Sequence, residues 1–361
     1  MGDETISVPA REANDGTSGS PVTNRGMARR VSPTRVGLAA VVISLVAVLL
    51  LAADGSAPPG GTPAATPAVP LGAFLGADRS GVGAIDGFAS WIGVTASVGH
   101  TYLPGRSWDD LDGPDWVLDP WAAWRSAQSE RMLVLNVPMV APNEPPVSDG
   151  DAAGLLRQGA AGRFDGHFRT LAGRLVERQA TDTVIVLGWE MNGTTYSGRC
   201  APDPAAWKQY WRRIVTVMRG VSGQRFRFDF APARGAQAVP WPLCYPGDDV
   251  VDIVGMDSYD QRPGRTFSDF VDQPYGLQAQ ADFAAAHGKP MSYPEWGLYD
   301  YGDDPAYVRG MYSWLGTHEV AYQTITDYCP HGVWGCRANP ASSAVYRQLF
   351  GVSGGRPRGG P

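Results

Sequence analysis

The chain predicts an α/β fold, a (β/α)8 barrel built as one large domain, and three observations carry that expectation. From Leu71 onward, short β-rich runs alternate with helical stretches about eight times, the pattern of βα units wound around a parallel sheet. The alternation fills residues 71–351, about the length that eight such units need. No Gly-rich phosphate loop follows any of the runs, which leaves an open doubly wound sheet without its usual support. With 361 residues, 43% hydrophobic and 18% charged, the chain can bury a core of this size.

Taken in order, the first elements precede the barrel. Residues 1–35 are rich in Gly, Ser, Thr, Asp and Arg without apolar periodicity and read as a disordered cytoplasmic tail. Residues 36–53 form an uncharged apolar run (VGLAAVVISLVAVLLLAA) just long enough to cross a thin hydrocarbon layer. Arg29, Arg30 and Arg35 flank its N-terminal side and direct the chain beyond residue 53 out of the cytoplasm. A transmembrane anchor and a signal-peptide h-region, with an internal start at Met27, both fit this run, although Pro58 after Gly55-Ser56-Ala57 disfavours cleavage there. Residues 54–70 are a Pro/Gly/Ala linker, and residues 352–361 a short disordered tail. The barrel, residues 71–351, is therefore expected outside the cytoplasm, tethered by one N-terminal helix or secreted.

Eight strands are predicted at residues 71–78, 95–103, 132–140, 183–189, 226–231, 251–258, 290–295 and 320–327. Between them, residues 164–179 carry Phe164, Phe168, Leu171, Leu175 and Val176 at helical spacing, and residues 205–218 carry Trp207, Trp211, Ile214, Val215 and Met218. Asp203-Pro204 opens the second of these helices, an N-cap followed by proline in the first turn. Cys200, Cys244, Cys329 and Cys336 all come after the apolar run, where an oxidising compartment permits disulfides. The short Cys329 to Cys336 interval favours that pair, which leaves Cys200 with Cys244.

In such a barrel the chemistry lies where the strands end, at their C-terminal mouth. The apolar run Val184 to Trp189 ends in Glu190, and Pro290 to Pro294 leads into Glu295, so two carboxylates face one mouth from strands four and seven. Glycoside hydrolysis needs such a pair: one carboxyl protonates the leaving oxygen while the other, ionised, attacks the anomeric carbon, and retention asks for a separation of about 5 to 5.5 Å.

Gly188-Trp189-Glu190-Met191-Asn192-Gly193 with Glu295 resembles the clan A glycosidases and, within them, glycoside hydrolase family 26, the β-mannanase family. Val251 to Tyr259 is similar to the family's sixth strand, and Asn339 to Phe350 to its closing helix. The resemblance implies a (β/α)8 barrel, a retaining mechanism without cofactor, Glu190 as acid/base, Glu295 as nucleophile, and Tyr259 in contact with that nucleophile. Trp189 departs from the pattern, since family members carry a histidine before the acid/base and most other clan members an asparagine. Mannan is the substrate implied, with a β-glucan or a cell-envelope polysaccharide suited to the same machinery and a non-catalytic carbohydrate-binding barrel as the other alternative.

Further candidates for sugar contact are Asn192, His100, Trp189, Trp296, Trp241 and Tyr196, each with a plainer reading. Asn192 makes a turn with Gly193 at least as readily. His100 equally fits a satisfied core histidine. Strand alternation turns Trp189 towards the helix layer. Large aromatics after strands also pack loops, which applies to Trp296, Trp241, Tyr196 and Trp334, and Asp78 and Asp257 suit caps and turns. A net charge of −6 without long Lys/Arg blocks argues against nucleic acid, and five scattered histidines give no metal-binding spacing. A monomer acting on a neutral polysaccharide is the partner expectation.

Overall fold

The structure is a computed structural model and describes residues 69–351. The segments 1–35, 36–53 and nearly all of 54–70, and the tail 352–361, lie outside the described residues, so the expected membrane run is among those not described. Among the described residues no helix is long and apolar enough to cross a membrane.

All eight expected staves are present and parallel. They are β1 (Leu71–Phe74), β2 (Val98–Tyr102), β3 (Met132–Val137), β4 (Val184–Leu187), β5 (Arg227–Phe230), a sixth stave in two pieces, β6 (Ile253–Gly255) and β7 (Ser258–Tyr259), then β8 (Met291–Gly297) and β9 (Val320–Thr326). Each pairs with its sequence neighbour, β1 also pairs with β9, and β6 and β7 both pair with β8, so the sheet closes on itself. The helices that cover it are α1 (Arg79–Ile92), α2 (Asp115–Ser126), α3 (Asp149–Ala160), α4 (Asp165–Glu177), α5 (Pro204–Arg219), α6 (Phe267–Asp272), α7 (Leu277–Ala286), α8 (Pro305–Thr317) and α9 (Pro340–Phe350).

Two apolar layers result from strand alternation. The inner one fills the barrel with Val98, Val134, Val184, Val186, Ala231, Ile253 and Tyr322. The outer one joins staves to helices, and α5 shows how it aims the mouth. Its buried face is Trp207, Tyr210, Trp211, Ile214, Val215 and Met218, the predicted stripe joined by Tyr210. Trp211 Nε1 donates to Leu187 O at 3.0 Å, Trp207 Nε1 to Gly198 O at 2.8 Å, and the Tyr210 hydroxyl to Met139 O at 2.7 Å. The polar tips of this apolar face thus fix the backbone on both sides of the β4 end. Asp203 caps α5 by accepting from Ala206 N at 3.0 Å, and Asp78 caps α1 by accepting from Ser80 N at 2.8 Å.

Candidate active site

Glu190 and Glu295 both reach the C-terminal mouth, and the local backbone explains how. After β4 the chain turns through two left-handed residues, Gly188 at φ 59° and Glu190 at φ 47°. Glycine reaches that region freely, whereas a glutamate there is strained, the kind of conformation that persists where surroundings over-determine it. Glu190 N donates to Ala231 O at 2.8 Å, tying the turn to the end of β5.

On β8 the device is an irregular register. Tyr293 faces Gln323 and Trp296 faces Ile325, so three residues of β8 are spanned by two of β9. An extra residue of this kind re-aims side chains. Tyr293 and Trp296 consequently both point outwards, Tyr293 accepting from Trp314 Nε1 of α8 and Trp296 stacking on Tyr346 of α9 at 5.9 Å. Glu295, between them, points inwards, where Oε1 accepts from Asn136 Nδ2 at 3.2 Å and Oε2 from the Tyr259 hydroxyl at 2.8 Å. Thr326 Oγ1 lies 2.7 Å from that same hydroxyl. Both glutamates are nearly buried, at 6% and 8% exposure, so charge placed on either acts through little water.

Beneath them lies a third carboxyl. Asp257 is buried, and no side chain donates to either of its oxygens. Burial pushes its pKa far above the usual carboxylate range, and the charges of Glu295 and then Glu190 push it further. Deeper still, Asp229 Oδ2 accepts from Ser292 Oγ at 2.5 Å and from the Tyr322 hydroxyl at 2.6 Å, and burial raises this carboxyl to about 7. Among the described residues no cluster of three or more His, Cys, Asp or Glu is arranged to hold a metal ion.

The other sequence candidates divide. His100 is fully buried under the mouth, with Nε2 2.9 Å from Asn136 Oδ1 and Nδ1 3.1 Å from Thr324 Oγ1. It orients the asparagine that holds Glu295, and burial lowers its pKa to about 4. Asn192 spends its amide on the protein, donating to Ala233 O and accepting from Ala233 N, both at 2.9 Å. Trp296 and Trp241 are corrections. Both are fully buried outside the barrel, with Trp296 Nε1 donating to Gln323 Oε1 and Trp241 Nε1 to Tyr275 O. Trp189 is a correction in the opposite sense: the left-handed Gly188 ends the alternation, and the indole joins the inner layer between Tyr102 and Tyr196.

That contact belongs to an aromatic arc at the mouth which composition alone does not reveal. Tyr196 lies 5.0 Å from Trp189, Trp189 5.6 Å from Tyr102, Tyr102 4.7 Å from Phe74, and Phe74 6.1 Å from Tyr328. Tyr328 continues to His331 at 5.1 Å, and His331 stacks on Tyr299 at 5.2 Å. Burial, then Glu295 and Glu190, raise the Tyr328 hydroxyl, and Tyr102 is raised by burial and by Glu295. Phe74 and Trp189 are buried within the arc, while Tyr102, Tyr196, Tyr299, Tyr328 and His331 are half-buried and offer the flat apolar faces and polar tips that sugar rings use. Both disulfides, Cys200–Cys244 and Cys329–Cys336, staple loops of this rim, the second enclosing His331. Sequence reading missed Asn136, Tyr102, Tyr299, Tyr328 and His331. Asn136 had a signal, as the polar residue within an apolar strand run.

Comparison with known proteins agrees with this architecture. Residues 176–291 match the model of Glycosyl hydrolase family 26, a stretch that includes Glu190 and Tyr259 and stops short of Glu295. No curated protein matches the chain in sequence. A mannanase from Bacillus subtilis has the same fold, at 16% identity over 77% of this chain and 84% of that one, with a TM-score of 0.56. So does a modular endo-β-1,4-mannanase from Cellulomonas fimi, at 18% identity over 72% and 63% with a TM-score of 0.53. A family 26 β-mannanase from Bacteroides ovatus matches at 15% identity over 70% and 77%, TM-score 0.50. Identities this low carry the fold alone. With the family match over the strands that form half the site, they agree with the resemblance in the strand-end motifs: this chain is a glycosidase similar to the family 26 β-mannanases.

Proposed function

We propose that the protein is a retaining glycoside hydrolase that cleaves β-linked polysaccharide, endo-acting on β-mannan, through Glu295 as nucleophile and Glu190 as acid/base. The observation that carries this reading is the Glu295 carboxylate, held by Asn136 on one oxygen and Tyr259 on the other at the mouth that Glu190 also reaches. Donors of this kind favour the ionised form and fix the attacking oxygen. In the first step Glu190 gives its proton to the glycosidic oxygen, Glu295 attacks the anomeric carbon, and the bond to the leaving sugar breaks. In the second, Glu190 takes a proton from water, whose oxygen displaces Glu295, so two inversions retain configuration. The aromatic arc would hold the sugar faces. Two disulfides support an extracytoplasmic setting, anchored or secreted, where polysaccharide is met.

The test is product analysis on β-mannan, β-glucan and envelope polysaccharides, with proton NMR of the first anomer released. Wild type is expected to release β-configured oligosaccharides from mannan, and Glu295→Ala none. Glu190→Ala should lose about 10²- to 10⁴-fold on polysaccharide and far less on a dinitrophenyl glycoside, whose leaving group needs no proton. Full activity in Glu295→Ala sinks the mechanism, and products from glucan alone sink the substrate. Tight glycan binding with no product from any linkage would instead favour the non-catalytic barrel.

A further inference from the structure

Arg234 sits in the loop after β5, is only 2% exposed, and makes no ion pair within salt-bridge distance among the described residues. A buried guanidinium is costly to desolvate, and burial lowers its pKa. What it does with its fork is specific. Nη2 donates to Tyr259 O at 2.6 Å and to Gln261 O at 3.1 Å. The group lies 4.2 Å over the Phe270 ring, and Nη1 faces the Gln273 side-chain amide. Its backbone N donates to Asp257 O at 3.0 Å. One residue therefore grips the interrupted sixth stave at Asp257, Tyr259 and Gln261, where β6 has ended and ladder bonds are sparse.

The same loop is held from its other side. Asn192, two residues after Glu190, bonds both the N–H and the C=O of Ala233, and Ala233 pairs with Asp257. A continuous set of bonds thus runs from the Glu190 turn through residues 233–234 to Tyr259, and from the Tyr259 hydroxyl to Glu295.

We propose that Arg234 is a positioning residue that fixes the Tyr259 hydroxyl against Glu295, acting through the backbone of the broken sixth stave. The proposal rests on the reading of Glu295 as nucleophile. Both carbonyls are bonded by one guanidinium nitrogen, and what lysine lacks is the planar group stacked over Phe270 that holds that nitrogen in place, so the tyrosine is released without loss of the buried cation.

The experiment compares wild type, Tyr259→Phe, Arg234→Lys and the double variant in mannan hydrolysis, with the Tyr259 ring carbon followed by NMR in ζ-13C-tyrosine-labelled protein. Arg234→Lys is expected to lower kcat by about 10- to 100-fold with KM within about twofold, and to shift the Tyr259 resonance. Its effect should vanish in the Tyr259→Phe background, giving strong coupling. Gln273→Met, at the half-exposed outer arm of the guanidinium, should move the same resonance in the same direction by less, and serves if Arg234→Lys does not fold. An unmoved Tyr259 resonance in both variants, or losses that simply add, overturns the proposal. So does undiminished hydrolysis by Glu295→Ala, which fails the underlying reading and is told apart because the resonance still moves.

Discussion

Asp257 is the residue whose chemistry is least obvious from its place. It sits below two carboxylates with no side-chain donor on either oxygen, and a second or third negative charge there would oppose the ionisation of Glu295. Burial first, and then the charges of Glu295 and Glu190, push its pKa up and favour the neutral acid. An amide is the closest mimic of that form. Asp257→Asn is therefore expected to keep kcat/KM within about tenfold of wild type, and the acidic limb of its pH profile should stay in place. A limb displaced by a full unit would mean that wild-type Asp257 is ionised, because only loss of a charge shifts a neighbour that far. His100 is the complementary case. Buried and neutral down to about pH 4, it orients Asn136 without touching the mouth.

At the scale of elements, the site depends on three places where regular strand geometry stops: the left-handed turn at Gly188 and Glu190, the irregular register of β8, and the gap between β6 and β7. These same places separate what could be read from sequence from what could not. Staves and helices follow from periodicity, and α5 with its Asp203-Pro204 start lies within a residue of its expected span. Glu190 and Glu295 were legible because each ends an apolar run. Trp189 was not, since alternation assigns it outwards until Gly188 reverses the parity. Trp296 was misread because β8 continues to Gly297, which leaves a large aromatic with a helix layer to pack against. Tyr299, Tyr328 and His331 come from loops, where no period exists to place a side chain.

Gly188 gives this scale a test. Its φ of 59° suits glycine, and an added Cβ would lie 2.6 Å from Met139 Sδ. Gly188→Ala is expected to cost about 1–2 kcal/mol from the left-handed conformation alone, read as a lowered urea midpoint. Because the turn aims both Trp189 and Glu190, kcat/KM should fall along with stability. A variant of wild-type stability would show that the turn is not held in that conformation in solution.

For the whole molecule, the barrel interior sets how stability responds to pH. Asp229 titrates at about 7 in the folded chain because burial outweighs its bonds to Ser292 and Tyr322, against an ordinary value near 4 when unfolded. Between those values the folded state holds a proton that the unfolded state has released, so this group's contribution falls as pH rises from about 4 to about 7. Asp260, raised by burial to about 8, acts in the same direction over a slightly wider window. His100 acts oppositely. Its folded value of about 4 lies below the usual 6.5, so its contribution is lost as pH falls through that interval. The two carboxyls outweigh the one imidazole, and these three groups together favour a mildly acidic over an alkaline optimum of stability. Asp229→Asn keeps an oxygen to accept from Ser292 and Tyr322 while removing the ionisation. The variant should therefore melt several degrees above wild type at pH 8, the linkage limit being about 4 kcal/mol for three pKa units, and the difference should close as pH approaches 4. Calorimetric scans of both proteins across that range decide it, because a gain that stays constant with pH would come from packing and not from the proton that Asp229 holds.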